Sequence, residues 1–391
     1  MVGRSTTRQV RGLAAVLSVA ALVALAACVP PPPEPAQGRD PNDAPRAAEP
    51  AYRERGPYDV GVTSVQLSDR SMEVWYPVDP GDAEGPADEY HIRRFVSAAF
   101  DALIPPDVDP PFVTDAVRDV PASDDGPFPL VLFSHGFASY RFQSTFLTTH
   151  LASWGFVVVS PDYLERGLRA VLGEPPARAR SDLDVADEAI RVARELGGDP
   201  GHLLAGTVDP AAVYPVGHSA GGGTSLRLLG RPDVHSAIPL AAGLSIQNLL
   251  EGRLPLPPGK AVTWIAAPAD RIVGIDDVRR GFDYTAGERR IVEVGGSGHV
   301  NAFSDICEIG EGGVVALARA TGLPIPEGLL VLGDDGCPVP PYRDSPEVWE
   351  EVRHFVTAEL RYRSGLDADP VGLGDAVTSQ LDDVVRYRHD P

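Results

Sequence analysis

The sequence predicts an α/β protein whose mostly parallel sheet is covered by helices on both faces. Two observations lead to this prediction. Short apolar runs, which are typical of buried strands, alternate along the chain with segments of helical periodicity, such as the run at 129–134 and the segment at 182–196. Another apolar run, at 211–216, leads directly into a glycine-rich turn and a further helix. Strands that alternate with helices form parallel sheets, because each helix returns the chain to the same edge.

The predicted elements extend from an antiparallel-looking pair of strands to a closing helix. The pair is followed by an insertion at 88–119 that is rich in proline and apolar residues, and an irregular stretch covers 163–180. In the closing helix, apolar residues recur at helical spacing. The predicted strands are 61–67, 72–77, 129–134, 156–160, 211–216, 237–242, 261–266 and 290–294, and the predicted helices are 142–154, 182–196 and 345–362.

The turn after the strand at 211–216 has the sequence Gly217-His218-Ser219-Ala220-Gly221. A serine at such a strand-to-helix turn is held at the top of the sheet with its hydroxyl exposed. Glycine is needed on both sides of the turn, because a Cβ there would meet the neighbouring strand or helix. We therefore interpret Ser219 as a nucleophile. The alternative is an ordinary glycine-rich turn, since a bare G-x-S-x-G occurs by chance in many sequences.

Two residues downstream of Ser219 have the placement that a nucleophilic serine requires. Asp270 comes just after the strand at 261–266, and His299 lies on a glycine-rich loop after the strand at 290–294. Open parallel sheets build their sites at the carboxyl ends of strands, so these side chains are expected to converge on Ser219. His299 would act as general base, and Asp270 would orient the imidazole and stabilise its cation.

Other acidic residues and histidines near these strand ends are interpreted as structural. Asp276, Asp277 and Asp283 follow the same strand as the candidate acid, but further on, where the pattern indicates a solvated helix. The side chain of His218 is expected to point away from the serine and to pack. His135 precedes the serine, and that chain order is wrong for a base. The histidines show no metal-ligand spacing, and neither a metal nor another cofactor is expected.

The strand at 129–134 ends where a second part of the site is expected. It runs into His135, Gly136 and Phe137, and glycine permits the backbone to turn the Phe137 N–H inward. The N–H of the residue after the nucleophile, Ala220, is the other expected donor of an oxyanion hole. The alternative is a plain turn at a strand end.

Taken together, these motifs resemble the platelet-activating-factor acetylhydrolase and dienelactone-hydrolase-like branch of the α/β-hydrolases. The segments that carry the resemblance are 127–137, 158–162, 216–222, 269–273 and 298–299. The resemblance implies an α/β-hydrolase fold and an esterase in which Ser219, Asp270 and His299 form the triad.

The substrate stays open, because one fold carries many chemistries. We expect a serine hydrolase that forms an acyl-enzyme on short-chain acyl esters or lipid esters. A cutinase-like polyester hydrolase is the nearest alternative, and a catalytically silent surface lipoprotein that binds a partner is another. Substrate contacts are expected from 88–119, 163–180 and 244–258.

The N-terminus has the pattern of a bacterial export signal. Arginines precede an apolar run at 13–27 that is too short to span a membrane, and the run ends in Leu25-Ala-Ala-Cys28, which looks like a lipobox. The alternative is an ordinary signal peptide cut near Ala27, giving a secreted protein. The predicted parts are a signal peptide with lipobox at 1–28, a proline-rich tether at 29–50, a hydrolase domain at 51–365 and a polar tail at 366–391.

Lipidation at Cys28 would attach the domain to a membrane outside the cytoplasm. Cys307 and Cys337 then remain in a compartment that permits disulfides, and a bridge between them is expected, with two free thiols as the alternative. The 34 Lys and Arg against 55 Asp and Glu leave a net charge of −21, which makes nucleic acid an unfavourable partner. The oligomeric state is left open.

Overall fold

The computed structural model describes residues 49–244 and 257–391. The predicted signal peptide with Cys28, nearly all of the tether, and most of the stretch at 244–258 therefore lie outside the described residues. In the described part, one sheet has the strand order β11-β10-β9-β8-β7-β5-β6-β2-β1-β4-β3. The strands are β1 Asp59–Gln66, β2 Ser71–Val78, β3 Ala87–His91, β4 Pro111–Arg118, β5 Phe128–Ser134, β6 Val157–Pro161, β7 Val208–His218, β8 Ser236–Leu240, β9 Ala261–Ala266, β10 Arg289–Val294 and β11 Val384–Asp390.

The central strands of this sheet are parallel. β5 pairs in parallel with β6 and β7, and the parallel pairing continues through β8 and β9 to β10. Antiparallel pairs flank this centre, with β1 against β2, β2 against β6, and β3 against β4. The predicted mostly parallel sheet is confirmed, as is the antiparallel pair that precedes it.

Helices cover both faces of the sheet, as predicted. They are α1 Ala98–Asp101, α2 Thr145–Ser153, α3 Leu168–Val171, α4 Asp182–Gly198, α5 Ala220–Leu228, α6 Ile275–Tyr284, α7 Gly313–Ala320, α8 Glu327–Gly333, α9 Ser345–Ser364 and α10 Asp375–Thr378. Among the described residues, no helix is both long and apolar enough to cross a membrane.

The buried strand β5 explains why both faces need a cover. Successive side chains of a strand point to opposite faces. Val131 and Phe133 accordingly join one apolar cluster, together with side chains of α2 and α9. Leu130 and Leu132 join a second cluster, together with side chains of α4 and α6. The continuous apolar run of β5 thus places the sheet at the centre of two cores.

The insertion at 88–119 is more regular than its composition indicates. It contains most of β3, a 3-10 turn at Ile92–Phe95, the short helix α1 and β4. β4 lies beside β1 in parallel and carries β3 as the outermost strand on that side. The residues between these two strands lie near the site described below.

Part of the polar tail expected at 366–391 belongs to the sheet. β11 pairs antiparallel with β10 along its whole length. Before it, Val377 and Leu381 are buried in the same core cluster as β10. The sequence pattern does not indicate this strand because β11 is an edge strand, four of whose seven residues are exposed. Its polar side chains form ion pairs instead, such as Arg289 with Asp390.

Candidate active site

Ser219 lies on a strained turn between β7 and α5. Its φ is 55° and its ψ −118°, a conformation that non-glycine residues seldom adopt. A Cβ on Gly217 would lie 2.3 Å from the Gly221 carbonyl oxygen, and a Cβ on Gly221 would lie 1.9 Å from the Ser134 carbonyl oxygen. The close approach of three chain segments therefore requires both glycines and holds the serine at the end of β7.

Asp270 and His299 form a buried pair at the neighbouring strand ends. Asp270 Oδ2 accepts a hydrogen bond from His299 Nδ1 at 2.7 Å. The other oxygen, Oδ1, accepts from the backbone N–H groups of Ile272 and Val273 at 2.7 and 2.8 Å. The two side chains are only 1% and 2% exposed. The carboxylate is thus fixed, and it fixes the imidazole with Nε2 as the remaining ring nitrogen.

Ser219 and His299 face the same cavity. The hydrogen bonds of residues 49–244 and 257–391 do not include one from Ser219 Oγ to His299. In unliganded active sites such a bond is often long and tightens when a substrate binds.

Of the two expected oxyanion donors, Phe137 lies at this cavity and Ala220 directly follows Ser219, which lines it. Phe137 lines it, with 46% of its surface exposed, and Ala220 begins helix α5 directly after the serine. In the described part of the chain, neither backbone N–H has an acceptor. The preceding Gly136 N–H is held by Gln143 Oε1 at 2.7 Å, which anchors the Phe137 loop.

His218 hydrogen-bonds to two segments of the site, at Gln143 and at His299. Its Nδ1 accepts from Gln143 Nε2 at 3.0 Å, and its Nε2 donates to the carbonyl oxygen of His299 at 3.0 Å. Its ring stacks on Phe303. Burial lowers the pKa of His218 well below its ordinary value, so the ring stays neutral. The sequence analysis interpreted this residue as packing. The structure adds that it hydrogen-bonds to Gln143, which holds the Phe137 loop, and to the backbone of His299.

The other candidates set aside by sequence have structural environments. His135 is buried and accepts from the backbone N–H of Tyr163 at 2.9 Å, and burial lowers its pKa to about 3. Asp276, Asp277 and Asp283 lie on the surface helix α6, with side chains 38–85% exposed. Across residues 49–244 and 257–391, no group of three or more His, Cys, Asp or Glu is arranged to hold a metal ion.

Asp335 is a part of the site that sequence reasoning missed. Its Oδ2 accepts from the backbone N–H groups of Arg271 at 2.9 Å and His299 at 3.1 Å, and its Oδ1 accepts from Arg271 Nε at 2.6 Å and the Tyr342 hydroxyl at 3.0 Å. Burial alone would raise the pKa of Asp335, but the bonds from Arg271 and His299 outweigh it and hold the pKa below its usual value. One buried carboxylate therefore joins the loop that carries Asp270 and Arg271 to the loop at 295–305 that carries His299 (the histidine loop).

Asp305 anchors the far end of the histidine loop. Its carboxylate accepts from the backbone N–H groups of Thr145 and Phe146 at the start of α2, at 2.8 and 3.2 Å, and from the Tyr90 hydroxyl at 3.0 Å. Burial raises the pKa of Asp305 to about 7, against the lowering effect of these donors. The loop that carries the candidate base is thus attached at both ends.

The expected disulfide is present, since Cys307 and Cys337 are bridged with their Cα atoms 5.0 Å apart. It closes the chain that follows the histidine loop. Asp335 lies two residues before the second cysteine, so the bridge and the carboxylate act on the same short segment.

An apolar cavity of about 140 Å³ lies beside Ser219 and His299. Two of the segments expected to contact substrate line this cavity. The insertion at 88–119 contributes residues such as Phe100 and Ile104, and the stretch at 163–180 contributes Leu168. The third, at 244–258, is mostly outside the described residues. The largest share of the wall comes instead from 306–333, with α7 and α8, which the sequence analysis had not assigned to the site.

The mostly parallel sheet with helices on both faces is an α/β-hydrolase fold. A family model described as Chlorophyllase matches residues 111–247. Cutinase 2 of Thermobifida cellulosilytica is 31% identical over 126 residues, 32% of this chain and 44% of that protein. Cutinase cut1 of Thermobifida fusca is also 31% identical over 126 residues, 36% of its length. Bis(hydroxyethyl) terephthalate hydrolase of Streptomyces coelicolor is 32% identical over 120 residues, 30% of this chain and 34% of that protein.

The chain therefore matches less than half the length of each of these relatives. The resemblance inferred from the motifs is confirmed at the level of the α/β-hydrolase superfamily.

Proposed function

We propose that this protein is a serine hydrolase of carboxylic esters, with Ser219 as nucleophile, His299 as general base and Asp270 as the residue that orients His299. The observation that carries the proposal is the serine on its strained turn, facing the same cavity as a histidine that is hydrogen-bonded to a buried aspartate. A structural turn has no need of a strained serine, and strained backbone is concentrated at functional sites.

The reaction follows from these positions. His299 Nε2 takes the Ser219 hydroxyl proton while Oγ attacks the ester carbonyl carbon, and the carbonyl oxygen becomes an oxyanion. The Phe137 and Ala220 N–H groups stabilise that oxyanion, since neither has an acceptor among the described residues. When the tetrahedral intermediate collapses, His299 returns the proton to the alcohol that leaves. Water, activated by the same histidine, then hydrolyses the acyl-enzyme and restores Ser219.

Short-chain acyl esters are the substrates that the cavity supports best. An apolar cavity of roughly 150 Å³ holds one benzene molecule in an engineered protein. The cavity here, about 140 Å³, therefore has room for a small acyl group beside Ser219. Most of its lining comes from residues 92–110 of the insertion and from 306–333.

A polyester hydrolase is the second candidate, because the relatives include cutinases and a bis(hydroxyethyl) terephthalate hydrolase. A polymer chain requires an open groove that extends past the serine in two directions. Hydrolysis of a suspended polyester at a rate comparable to that of soluble short-chain esters would favour this candidate over the first. The third candidate, a silent binding protein, has no use for the Asp270–His299 pair.

Attachment to the outer face of a membrane through Cys28 is also proposed. It is supported by the lipobox pattern and by the proline-rich stretch that follows, which would act as an extended tether. Release of an unanchored, secreted protein is the alternative.

Labelling with a fluorophosphonate probe tests the proposal, because the probe reacts with an activated serine. The wild type should label, and Ser219→Ala should lose both labelling and about 10⁴-fold or more of its ester hydrolysis. Ser139→Ala is the matched control, since this serine lines the same cavity away from the strained turn. A folded wild type that neither labels nor hydrolyses esters would rule out the esterase and favour the catalytically silent binding protein.

A further inference from the structure

We propose that the segment closed by the Cys307–Cys337 disulfide is the acyl-specificity element of this site. In this assignment α7 and α8 receive the linear, uncharged acyl chain of the ester and limit its length. The inference rests on the proposed ester hydrolysis, and it adds the part of the substrate that is recognised and the residues that recognise it.

The first observation is that helix α8 is apolar although its side chains are not buried in the core. It carries Leu329, Leu330, Val331 and Leu332 in succession, yet none of its residues is fully buried. Three of these four side chains line the cavity, and only Val331 does not. Apolar surface that the described residues leave uncovered beside the proposed nucleophile indicates an apolar ligand.

Helix α7 continues the same wall. Val315 and Leu317 line the cavity, and Thr321 is the only polar side chain that 306–333 contributes to the lining. No charged side chain of this segment faces the cavity. A carboxylate or phosphate at the end of the bound chain would therefore lie against apolar surface without a partner, which is costly.

The insertion contributes two charged side chains to the cavity lining, and each has a partner. Arg93 is paired with Asp101 at 2.6 Å, and Asp109 Oδ2 lies 3.1 Å from His91 Nδ1. The described lining therefore favours an uncharged chain end over an anionic one. The volume of the cavity, close to that of a cavity that holds benzene, limits the chain to about six carbons.

The attachment of this wall links acyl binding to the reacting groups. The disulfide connects the end of α8 to the 3-10 turn at Ile306–Glu308, directly after the histidine loop. Asp335 then joins the same end to the backbone of His299. The wall formed by α7 and α8 is thus held at a set distance from His299. An acyl chain too long for the cavity must therefore displace the wall and His299 together.

Hydrolysis of p-nitrophenyl esters from acetate to decanoate tests the inference. In the wild type, activity should be highest for four to six acyl carbons and should fall for longer chains. Leu330→Trp fills the cavity, so it should lose hexanoate hydrolysis at least tenfold relative to acetate. Leu330→Ala should shift the preference to longer chains. Val331→Trp is the matched control, because Val331 is the next residue of α8 but does not line the cavity, and its profile should equal that of the wild type.

The outcomes separate the inference from the proposed function. If the wild type hydrolyses acetate and labels with fluorophosphonate, but Leu330→Trp keeps the wild-type ratio of hexanoate to acetate, the acyl wall lies elsewhere and the inference is overturned. If the wild type neither labels nor hydrolyses any ester, the proposed function fails and the inference fails with it.

The disulfide has its own test. The double variant Cys307→Ser, Cys337→Ser should accept octanoate several-fold better relative to acetate than the wild type does, with both rates measured on the same folded preparation. An unchanged chain-length profile in this folded variant would overturn the role of the bridge in setting the limit.

Discussion

At the scale of single residues, Gly221 shows how little space the serine turn leaves. It lies where the start of α5 passes the end of β5, and an added Cβ would lie 1.9 Å from the Ser134 carbonyl oxygen. Backbone cannot yield as a flexible side chain does, so a methyl group here must move the turn. The position of Ser219 therefore depends on a neighbour that takes no part in chemistry.

We expect Gly221→Ala to reduce ester hydrolysis at least tenfold and to destabilise the fold by about 1–3 kcal/mol. Gly223→Ala is the control two positions along the same helix, where an added Cβ meets nothing within 4 Å. It should retain activity and gain about 0.5–1 kcal/mol, because alanine is the better helix former. Chemical denaturation and turnover of both variants check this, and equal behaviour of the two would contradict the steric account.

Asp335 is a positioning residue of the same site. Because it binds Arg271 N–H and His299 N–H with one oxygen, we expect Asp335→Asn to lower kcat about tenfold or more with little change in KM. The amide keeps the volume but loses the charge and one acceptor.

The measurement is kcat per serine titrated with fluorophosphonate, which counts only folded sites. Glu359→Gln is the matched control, since Glu359 forms a buried ion pair with Arg290 at 2.8 Å outside the cavity lining. That variant should lose stability and keep its kcat per titrated serine. A purely structural Asp335 would behave in the same way as Glu359.

At the scale of elements, the C-terminal segment belongs to the folded domain. β11 covers the edge of β10, and β10 leads directly to the loop of His299. The residues before β11 fill a gap in the core, where Val377 is fully buried. The last element of the chain thus supports the strand that positions the candidate base.

Val377→Ala should cost about 1–3 kcal/mol of the free energy of unfolding, because it removes buried apolar volume. Val385→Ala should change stability by less than about 0.5 kcal/mol, since Val385 is 60% exposed on β11. Urea unfolding of the two variants makes the comparison. A neutral Val377→Ala would mean that the segment does not pack as described.

At the scale of the whole molecule, acid should destabilise the fold. Burial opposes ionisation of Glu288, but hydrogen bonding and the charge of Arg363 lower its pKa to about 2, and the pKa of Asp233 is lowered to about 2 against burial by Arg231 and Arg194. A carboxylate whose pKa is lower in the folded state stabilises the fold above its unfolded pKa, near 4, and loses that contribution as the pH falls toward 2.

We therefore expect stability to fall steeply between pH 4.5 and 2.5, as followed by urea unfolding at each pH. In Glu288→Gln the loss over this range should be smaller by about 1–2 kcal/mol, because one titrating group is gone. An identical pH dependence in the variant would show that Glu288 does not contribute.

The proposed lipid anchor is also a property of the whole chain. Cys28→Ser should move the protein from the membrane fraction to the soluble fraction without change in specific activity, because the lipid supplies the attachment energy. Fractionation of cells that express each form measures this. Persistence of Cys28→Ser in the membrane fraction, as firmly as the wild type, would rule out lipidation at this position.

The sequence by itself determined the features that depend on neighbouring residues. The apolar runs predicted the central strands within a few residues of their bounds, and Gly217 and Gly221 marked the turn that carries Ser219. Asp270 and His299 were found from the ends of two strands, because parallel strands end at one edge. The same local signals indicated the cavity lining from the insertion at 88–119.

Only the tertiary structure decided the contacts between distant parts of the chain. Asp335 lies 64 residues from Arg271 and 36 from His299, and nothing in the pattern around it distinguishes it from Asp334. The apolar residues of α7 and α8 are of the types found in ordinary packed helices, and β11 has the polar composition of a tail. What each segment packs against depends on the three-dimensional course of the whole chain, and local periodicity carries no information about that partner.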